Sequence, residues 1–570
     1  MKHKKLFVIT LILILLVCIN HSNAENTVNE SPTVKINIQP YSLVYEGDII
    51  DCEITGNPSI KYWTVNNQTP HQTFYNNNAV IFDPELTPIE DEYVDLKVFV
   101  ENNYGSDSDT IPVKIKRIFF GDIHWHTNYG DGINDIEKMY ENAISDNYLD
   151  FAASSEHTSN ILAYGGKKFP ILTMLKDYLT KQDPWNMIKK LAIDYYDPGN
   201  FTTILGYEWS VSTGSPGGYK WSENGYDDVG HINFYYKDVY PDAPRYNSYQ
   251  KHTYDDIFKA MSDEWDKGHY NICYPHHPLG QIYWLSIGDF RFFNYKYNTN
   301  WSFLAKKIKQ NDARDKILRG VEVYSRWGNS IGKYSDLPIP WPYHPDQPPY
   351  TLCMSDQREA WVENAMWEWS ADDFVGKRFV MQAGSDTHVV SRPGSAEVKD
   401  DKEKVSGLIA AYAVHNTRSE IWDAMNECNI YASHALKIRA NVRIEDEISY
   451  GRWINSSGPL NINITSLSTF PGVDSSGKKM CPHGYQEDQL NYPISDIWII
   501  KKDTSKGRPW CKTIYHESYD EDLVVLNFID PDVEPNDFYY IAIRQKGQEI
   551  VENQDDYMAY IGPVFIENVT

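Results

Sequence analysis

The sequence has no Cys-x-x-Cys spacing, no internal repeat and no long low-complexity tract. After its first two dozen residues it has no apolar run long enough to cross a membrane. Missing cysteine pairs argue against a thiolate metal site, and missing apolar runs against a helical membrane protein. Cationic residues are also in deficit: 53 Lys and Arg against 79 Asp and Glu give a formal net charge of −26 over 570 residues. That charge argues against a nucleic-acid backbone as partner. It leaves room for a small anionic or phosphorylated substrate, because bound divalent ions reverse a local field. The sequence sets no oligomeric state.

Residues 1–24 read as a secretory signal: Lys2, Lys4 and Lys5, an apolar run from Leu6 to Ile19, and a small-residue end at Ser22-Asn23-Ala24. Cys18 follows Val17, a poor fit to a lipidation site. The expected location is exported, periplasmic or extracellular. Cleavage removes three lysines and no acids, taking the formal charge from −26 to −29. It leaves six cysteines, and export permits disulfides. Cys481 and Cys511, in one stretch of β character, are the expected pair.

A composition of 41% hydrophobic and 14% aromatic residues marks folded material, and the length calls for more than one core. Residues 33–116 read as an immunoglobulin- or PKD-like β module, a spacer or adhesion element. Val34–Ile38, Ile49–Ile54 and Val94–Val100 alternate or run apolar, and a turn over Asn102–Thr110 leads to a last strand, Ile111–Ile115. From 117 to 436 apolar runs alternate with helical stretches, the pattern of βα units and a parallel sheet. The predicted strands are Arg117–Ile123, Leu149–Ala153, Phe201–Leu205, Ile232–Tyr236, Tyr270–Tyr274, Leu318–Tyr324 and Arg378–Ala383. The predicted helices include Asn134–Asp146, Tyr254–Lys267, Ser302–Lys309 and Arg358–Ser370. Residues 437–570 return to β character, with strands at Leu460–Ile464, Ile497–Ile500, Leu523–Phe528, Tyr539–Arg544 and Tyr560–Phe565, and read as a C-terminal β-sandwich.

Nearly every strand between 117 and 436 has a metal-competent side chain at its end. The first gives His124 and His126, which an extended chain points the same way, and Asp131 in the loop after. The second gives Glu156 and His157, the third Glu208, the fifth His276 and His277, the sixth Glu322 and Arg326, and the seventh Asp386 and His388. The fourth is the exception, because His231 opens its strand. Parallel strands of a β/α barrel end on one face, where loops build the chemistry. One histidine is commonly a packing residue, but histidines and carboxylates at seven strands are hard to explain by packing.

The order His124-x-His126, Asp131-Gly132, Glu156-His157, Gly206-x-Glu208, His231, Pro275-His276 and Ser385-Asp386-x-His388 resembles the PHP (polymerase and histidinol phosphatase) superfamily. Gly121-Asp122-Ile123-His124-Trp125-His126-Thr127, Gly206-Tyr207-Glu208-Trp209-Ser210, Asp537-Phe538-Tyr539-Tyr540-Ile541 and Gly562-Pro563 resemble its secreted "domain of unknown function 3604" branch. The resemblance spans roughly residues 117–570. It implies an α/β fold, a distorted (β/α)7 PHP-type barrel between the two β modules. It also implies two to three divalent metal ions, zinc, manganese or iron. One ion would use His124, His126, Glu208 and Asp386. A second would share Glu208 and add His231 and His276, and a third would use Asp131, His157 and His388. Glu156 stands where the family often has Asp. Either of the adjacent His276 and His277 could ligate; the reading favours His276.

The expected chemistry is a metal-dependent phosphoesterase using a metal-bridging hydroxide. His277 would protonate the leaving oxygen, and Arg326 and Arg392 would clamp phosphate through their guanidinium forks. The same ions could serve hydrolysis of a sulfate ester, carboxylic ester or amide. A carbohydrate-binding or adhesion protein with structural metals is the reading from another class.

Overall fold

The computed structural model describes residues 30–82, 86–130, 132–145, 149–158, 184–210, 231–247, 250–251, 253–276, 279–287, 290–298, 301–309, 314–325, 328–335, 337, 361–388, 393–396, 404–405, 407–434, 437–456, 458–468, 493–546 and 556–569. The expected signal at 1–24 lies outside them. The chain divides into two compact units, with the boundary between Ile115 and Lys116.

In the first unit, strands Ile60–Val65 and Val94–Asn102 pair antiparallel with each other, and Val94–Asn102 pairs with the start of Gly105–Asp122. Alternation puts Val94, Leu96, Val98 and Val100 inside around Trp63. Strand Thr33–Ile36 uses carboxylates as a second ladder: Val34 N–H donates to Asp107 (2.9 Å) and Ile36 N–H to Asp109 (2.8 Å). The separate expected strands Ile111–Ile115 and Arg117–Ile123 are one continuous strand, β1 (Gly105–Asp122). No Gly, Pro, Asn or Asp falls between Ile115 and Ile118, so no turn separates them.

Within the second unit the strands that matter are β2 (Phe151–Ala152), β3 (Leu205–Trp209), β4 (His231–Tyr236), β5 (Asn271–His276), β6 (Gly320–Ser325), β7 (Val380–Ala383), β8 (Gly407–Ala413) and β9 (Ile430–His434). β1 pairs parallel with β2, and β2 with the short strand Thr202–Thr203. β6 pairs parallel with β7. Single parallel bridges join His157 to Glu208, Cys273 to Leu318 and Trp125 to Thr387. β2, β5, β6 and β7 are buried along their length, as strands covered on two sides must be, with Glu322 and Gln382 among their buried polar residues.

Two expectations change here. β4 is antiparallel to both β3 and β5, so it is not a βα-unit strand. The ladders also stay open: strands lie side by side through isolated bridges, and among the described residues no sheet closes on itself. The unit is β-rich with few helices, and its described ladders do not by themselves make a closed (β/α)7 barrel.

The helices are short and amphipathic. α1 (Ile136–Ile144) buries Ile136, Met139, Tyr140 and Ala143, and α2 (Pro184–Asp194), which the sequence reading missed, opens on a proline. α3 (Tyr254–Asp266) starts at a full capping box, with Asp256 N–H donating to Thr253 Oγ1 at 3.1 Å and Thr253 N–H to Asp256 at 3.2 Å. No described helix is long and apolar enough to cross a membrane. Toward the C-terminus, Asp556–Val569 pairs with β9 and with Phe538–Lys546, and Leu460–Leu467 pairs with Arg439–Ile444 and Leu523–Asp530. Cys511 carries a free, buried thiol, so the expected pairing with Cys481 is not formed; Cys481 lies outside the described residues.

Two substitutions test this packing. A Cβ on Gly320 would lie 1.8 Å from Val380 O in the neighbouring strand, so Gly320→Ala should lower stability by about 3 kcal/mol or more in urea unfolding. His434, at the end of β9, packs its ring at a tilt 3.9 Å from that of Tyr324, its Nε2 makes no hydrogen bond among the described residues, and burial pushes its pKa down to about 3. The unfolded ring titrates near 6.5. The neutral ring therefore supports the fold above that pH, and stability drains as pH falls from about 6.5 toward 3, by up to about 1.4 kcal/mol per unit. His434→Phe should flatten that slope, measured as urea midpoints at successive pH values.

Candidate metal centre

The site forms where strand ends meet. Beyond Asp122, the last residue of β1, the extended chain carries His124 and His126 on one side. β3 brings Glu208, and its parallel bridge to His157 sets that histidine alongside. Antiparallel β4 reaches the same end with its first residue: His231 stands in register with His276, the last residue of β5. That direction is why His231 opens its strand while the other ligand candidates close theirs. Asp386 and His388 follow β7, and the Trp125–Thr387 bridge ties their loop to the His-x-His segment.

Glu208 is the centre of the group and is almost wholly buried. Its Oε2 lies 3.3 Å from Nε2 of each of His124, His126 and His276. Its Oε1 lies 2.6 Å from His231 Nδ1 and 2.8 Å from His157 Nδ1. Asp386 Oδ1 is 2.9 Å from His126 Nε2, 3.3 Å from His124 Nε2 and 3.6 Å from His388 Nδ1. Among the described residues, three overlapping groups could hold a cation, each with its ligating atoms within 4.8 Å of one another. They are His124, His126, Glu208 and Asp386; His157, Glu208 and His231; and His126, His157 and His388. The first coincides with the ligand set that the sequence resemblance implies. In the second, His231 shares Glu208 Oε1 with His157, while His276 approaches Oε2. In the third, His126 joins His157 and His388. Asp131, His277, Arg326 and Arg392 lie outside the described residues.

The donor chemistry fits divalent ions, which take ionised carboxylates and neutral imidazoles. Burial would push Glu208 up, yet the charges of His157, His276 and His231 hold it well below the usual carboxylate range. Burial would depress His126, yet Asp386 and Glu208 raise it to about 10. Among the described residues neither ring nitrogen of His126 makes a hydrogen bond of good angle, although Nε2 lies at contact distance from both carboxylates. Distance without hydrogen-bond angle is what a lone pair facing a shared cation site gives. A bound cation takes over the charge balance and releases the ring protons.

Several supporting residues escaped the sequence reading. The buried Asp122 carboxylate accepts N–H bonds from His124 (3.0 Å), Ser385 (3.0 Å) and Gly394 (2.7 Å), pinning the first motif to the last. Burial pushes it up to about 6 against those bonds. Asp386 has φ +51°, a left-handed conformation costing roughly 1–3 kcal/mol, and its N–H donates to His124 O at 2.6 Å. Ser210 Oγ lies 2.6 Å from His157 Nδ1 and donates to Glu208 Oε1 at 3.0 Å. Arg245 donates to the carbonyl of His157. Glu156, left without a role by its sequence, accepts from Thr127 Oγ1 at 2.5 Å and Thr127 N–H at 3.2 Å, bracing the residue after His126. The Gly-Asp-x-His spacing was the one available signal, because an acid two residues before a histidine can accept its N–H.

A β-rich chain with a buried carboxylate–imidazole cluster able to hold metal is the class that fold and site define. The model of the family described as a protein of unknown function, DUF3604, matches residues 133–279 and 361–448. These ranges contain His157, Glu208, His231, His276, Asp386 and His388, but not His124 or His126. No curated protein sequence matches the chain. Among solved structures, a two-domain protein containing a predicted PHP-like metal-dependent phosphoesterase from Bacteroides vulgatus is 12% identical over 79% of this chain and 95% of that one. Its TM-score is 0.30, too low for any argument to rest on it.

Glu208 touches two of the three groups and His388 only one. Glu208→Ala should therefore strip more bound metal than His388→Ala, read by elemental analysis after dialysis. Loading should also release protons and weaken as pH falls, because protons compete for the imidazoles. Calorimetry in buffers of different ionisation enthalpy measures that release.

Proposed function

We propose that the chain is an exported metal-dependent phosphoesterase of the PHP type, in its DUF3604 branch, acting on a small anionic substrate. The observation that carries this reading is Glu208, whose two oxygens face different histidine groups, an arrangement that would let one carboxylate serve more than one ion. His124, His126, Asp386, His231, His276, His157, His388 and Asp131 would complete the ligand sets for two to three ions, zinc, manganese or iron. When bound, such ions supply Lewis acidity that activates water and offsets charge on a phosphoryl group.

The remaining work falls to the protein. Glu208 stays ionised in a buried position, so its field acts at low dielectric. Asp386 is held in its strained turn by the His124 carbonyl, which fixes where its oxygens lie. Ser210 and Arg245 orient His157 from its ring and its backbone. His277 donates a proton to the leaving oxygen, and Arg326 and Arg392 hold the non-bridging phosphoryl oxygens. Residues 1–24 direct export, 33–116 form a spacer module and 437–570 a C-terminal β-sandwich.

The test is a substrate panel of phosphomonoesters, phosphodiesters, sulfate esters and carboxylic esters, run on the mature chain with and without chelator. Phosphoester cleavage should vanish with chelator and return with metal. Asp386→Ala should cost several kcal/mol of barrier stabilisation, hence at least about 100-fold in rate. Activity that survives full metal removal, or that is confined to sulfate or carboxylic esters, overturns the proposal.

A further inference from the structure

Glu322 has no part in the three cation groups, yet it is buried against one of their members. Its Oε2 lies 2.7 Å from His124 Nδ1, and both side chains are shut off from solvent. The contact is on the opposite edge of the ring from the cluster, since His124 Nε2 is the atom 3.3 Å from both Glu208 Oε2 and Asp386 Oδ1. Glu322 stands on β6, in register with Gln382 of β7. The approach leaves no slack: a Cβ on Gly384 would lie 2.6 Å from His124 Cβ and 2.8 Å from Glu322 Oε2. A glycine at the end of β7 is thus what lets the glutamate and the histidine meet.

A neutral imidazole carries one proton and one ring lone pair. A carboxylate can only accept, so it keeps the proton on the nitrogen it faces. We propose that Glu322 is a positioning residue for the metal centre: it holds the proton on His124 Nδ1, turns the Nε2 lone pair toward Glu208 and Asp386, and strengthens it as a ligand. His126 differs, since among the described residues neither of its ring nitrogens makes a hydrogen bond of good angle. The two histidines of the His-x-His motif are therefore unequal, and His124 is the anchored one.

The inference rests on the metal-centre reading, so the test measures metal rather than turnover. Cobalt(II) is titrated into the full chain and into Glu322→Gln and Glu322→Leu, following the visible d–d bands and the number of ions bound. Glu322→Leu should weaken binding about 10- to 100-fold and shift the bands. Glu322→Gln, which still accepts from Nδ1–H, should recover most of the affinity, with all three proteins holding equal ions at saturation. Wild-type affinity and unshifted bands in Glu322→Leu overturn the proposal, as does loss of one ion at saturation in either variant, which would make Glu322 a ligand. Should Glu322→Leu fail to fold, Glu322→Gln decides alone: a band shift at full stoichiometry supports the proposal and an unchanged spectrum ends it. A wild-type chain that binds no cobalt removes this inference and the proposed function together. A chain that binds cobalt and responds to Glu322 as described, yet cleaves no phosphoester, removes only the function.

Discussion

One buried negative charge governs the second unit. An ionised carboxylate without compensation costs several kcal/mol in a protein interior, and Glu208 is kept ionised by five imidazoles within 3.3 Å. Those imidazoles arrive from β1, the loop after β2, β4 and β5. The strands must therefore end together or leave that charge unmatched. β4 runs antiparallel and so meets that end with its first residue, His231, which faces the last residue of β5.

Behind the imidazoles lies a layer of carboxylates with a different task. Asp122 and Glu156 spend their lone pairs on backbone and hydroxyl groups beside the ligand candidates. They raise no new charge at the centre, but they remove the freedom of the loops that carry it. Such bracing keeps a multi-ligand site within the small tolerances that coordination demands.

Legibility followed periodicity. The apolar runs marking β5, β6 and β7, and the strands Leu460–Leu467 and Phe538–Lys546, could be read within a few residues. Cys511–Glu521 escaped, because it is an exposed edge strand rich in Tyr, Glu and Asp, with little apolar alternation to reveal it. The direction of β4 was also invisible: pairing sense leaves no mark on the composition of a strand buried on both faces. The histidines and acids of the centre were legible because few residue types can serve a cation and the sequence sets them near strand ends. Asp122, Ser210 and Arg245 were not, since accepting a backbone N–H or donating to a carbonyl is work many polar residues do anywhere. The strand through Arg117 was read as two because a domain boundary was expected to interrupt it.

That unbroken strand sets a parity rule. β1 pairs with Val94–Asn102 over its first half and with β8 over its second, and the His-x-His motif follows two residues after its end. Within the second unit, adding one residue between Arg117 and Gly121, where β1 pairs with β8, would force a bulge or turn every later side chain of the strand to the other face; adding two would preserve the faces. Natural or engineered length changes in this stretch should therefore come in even steps, whatever their sequence.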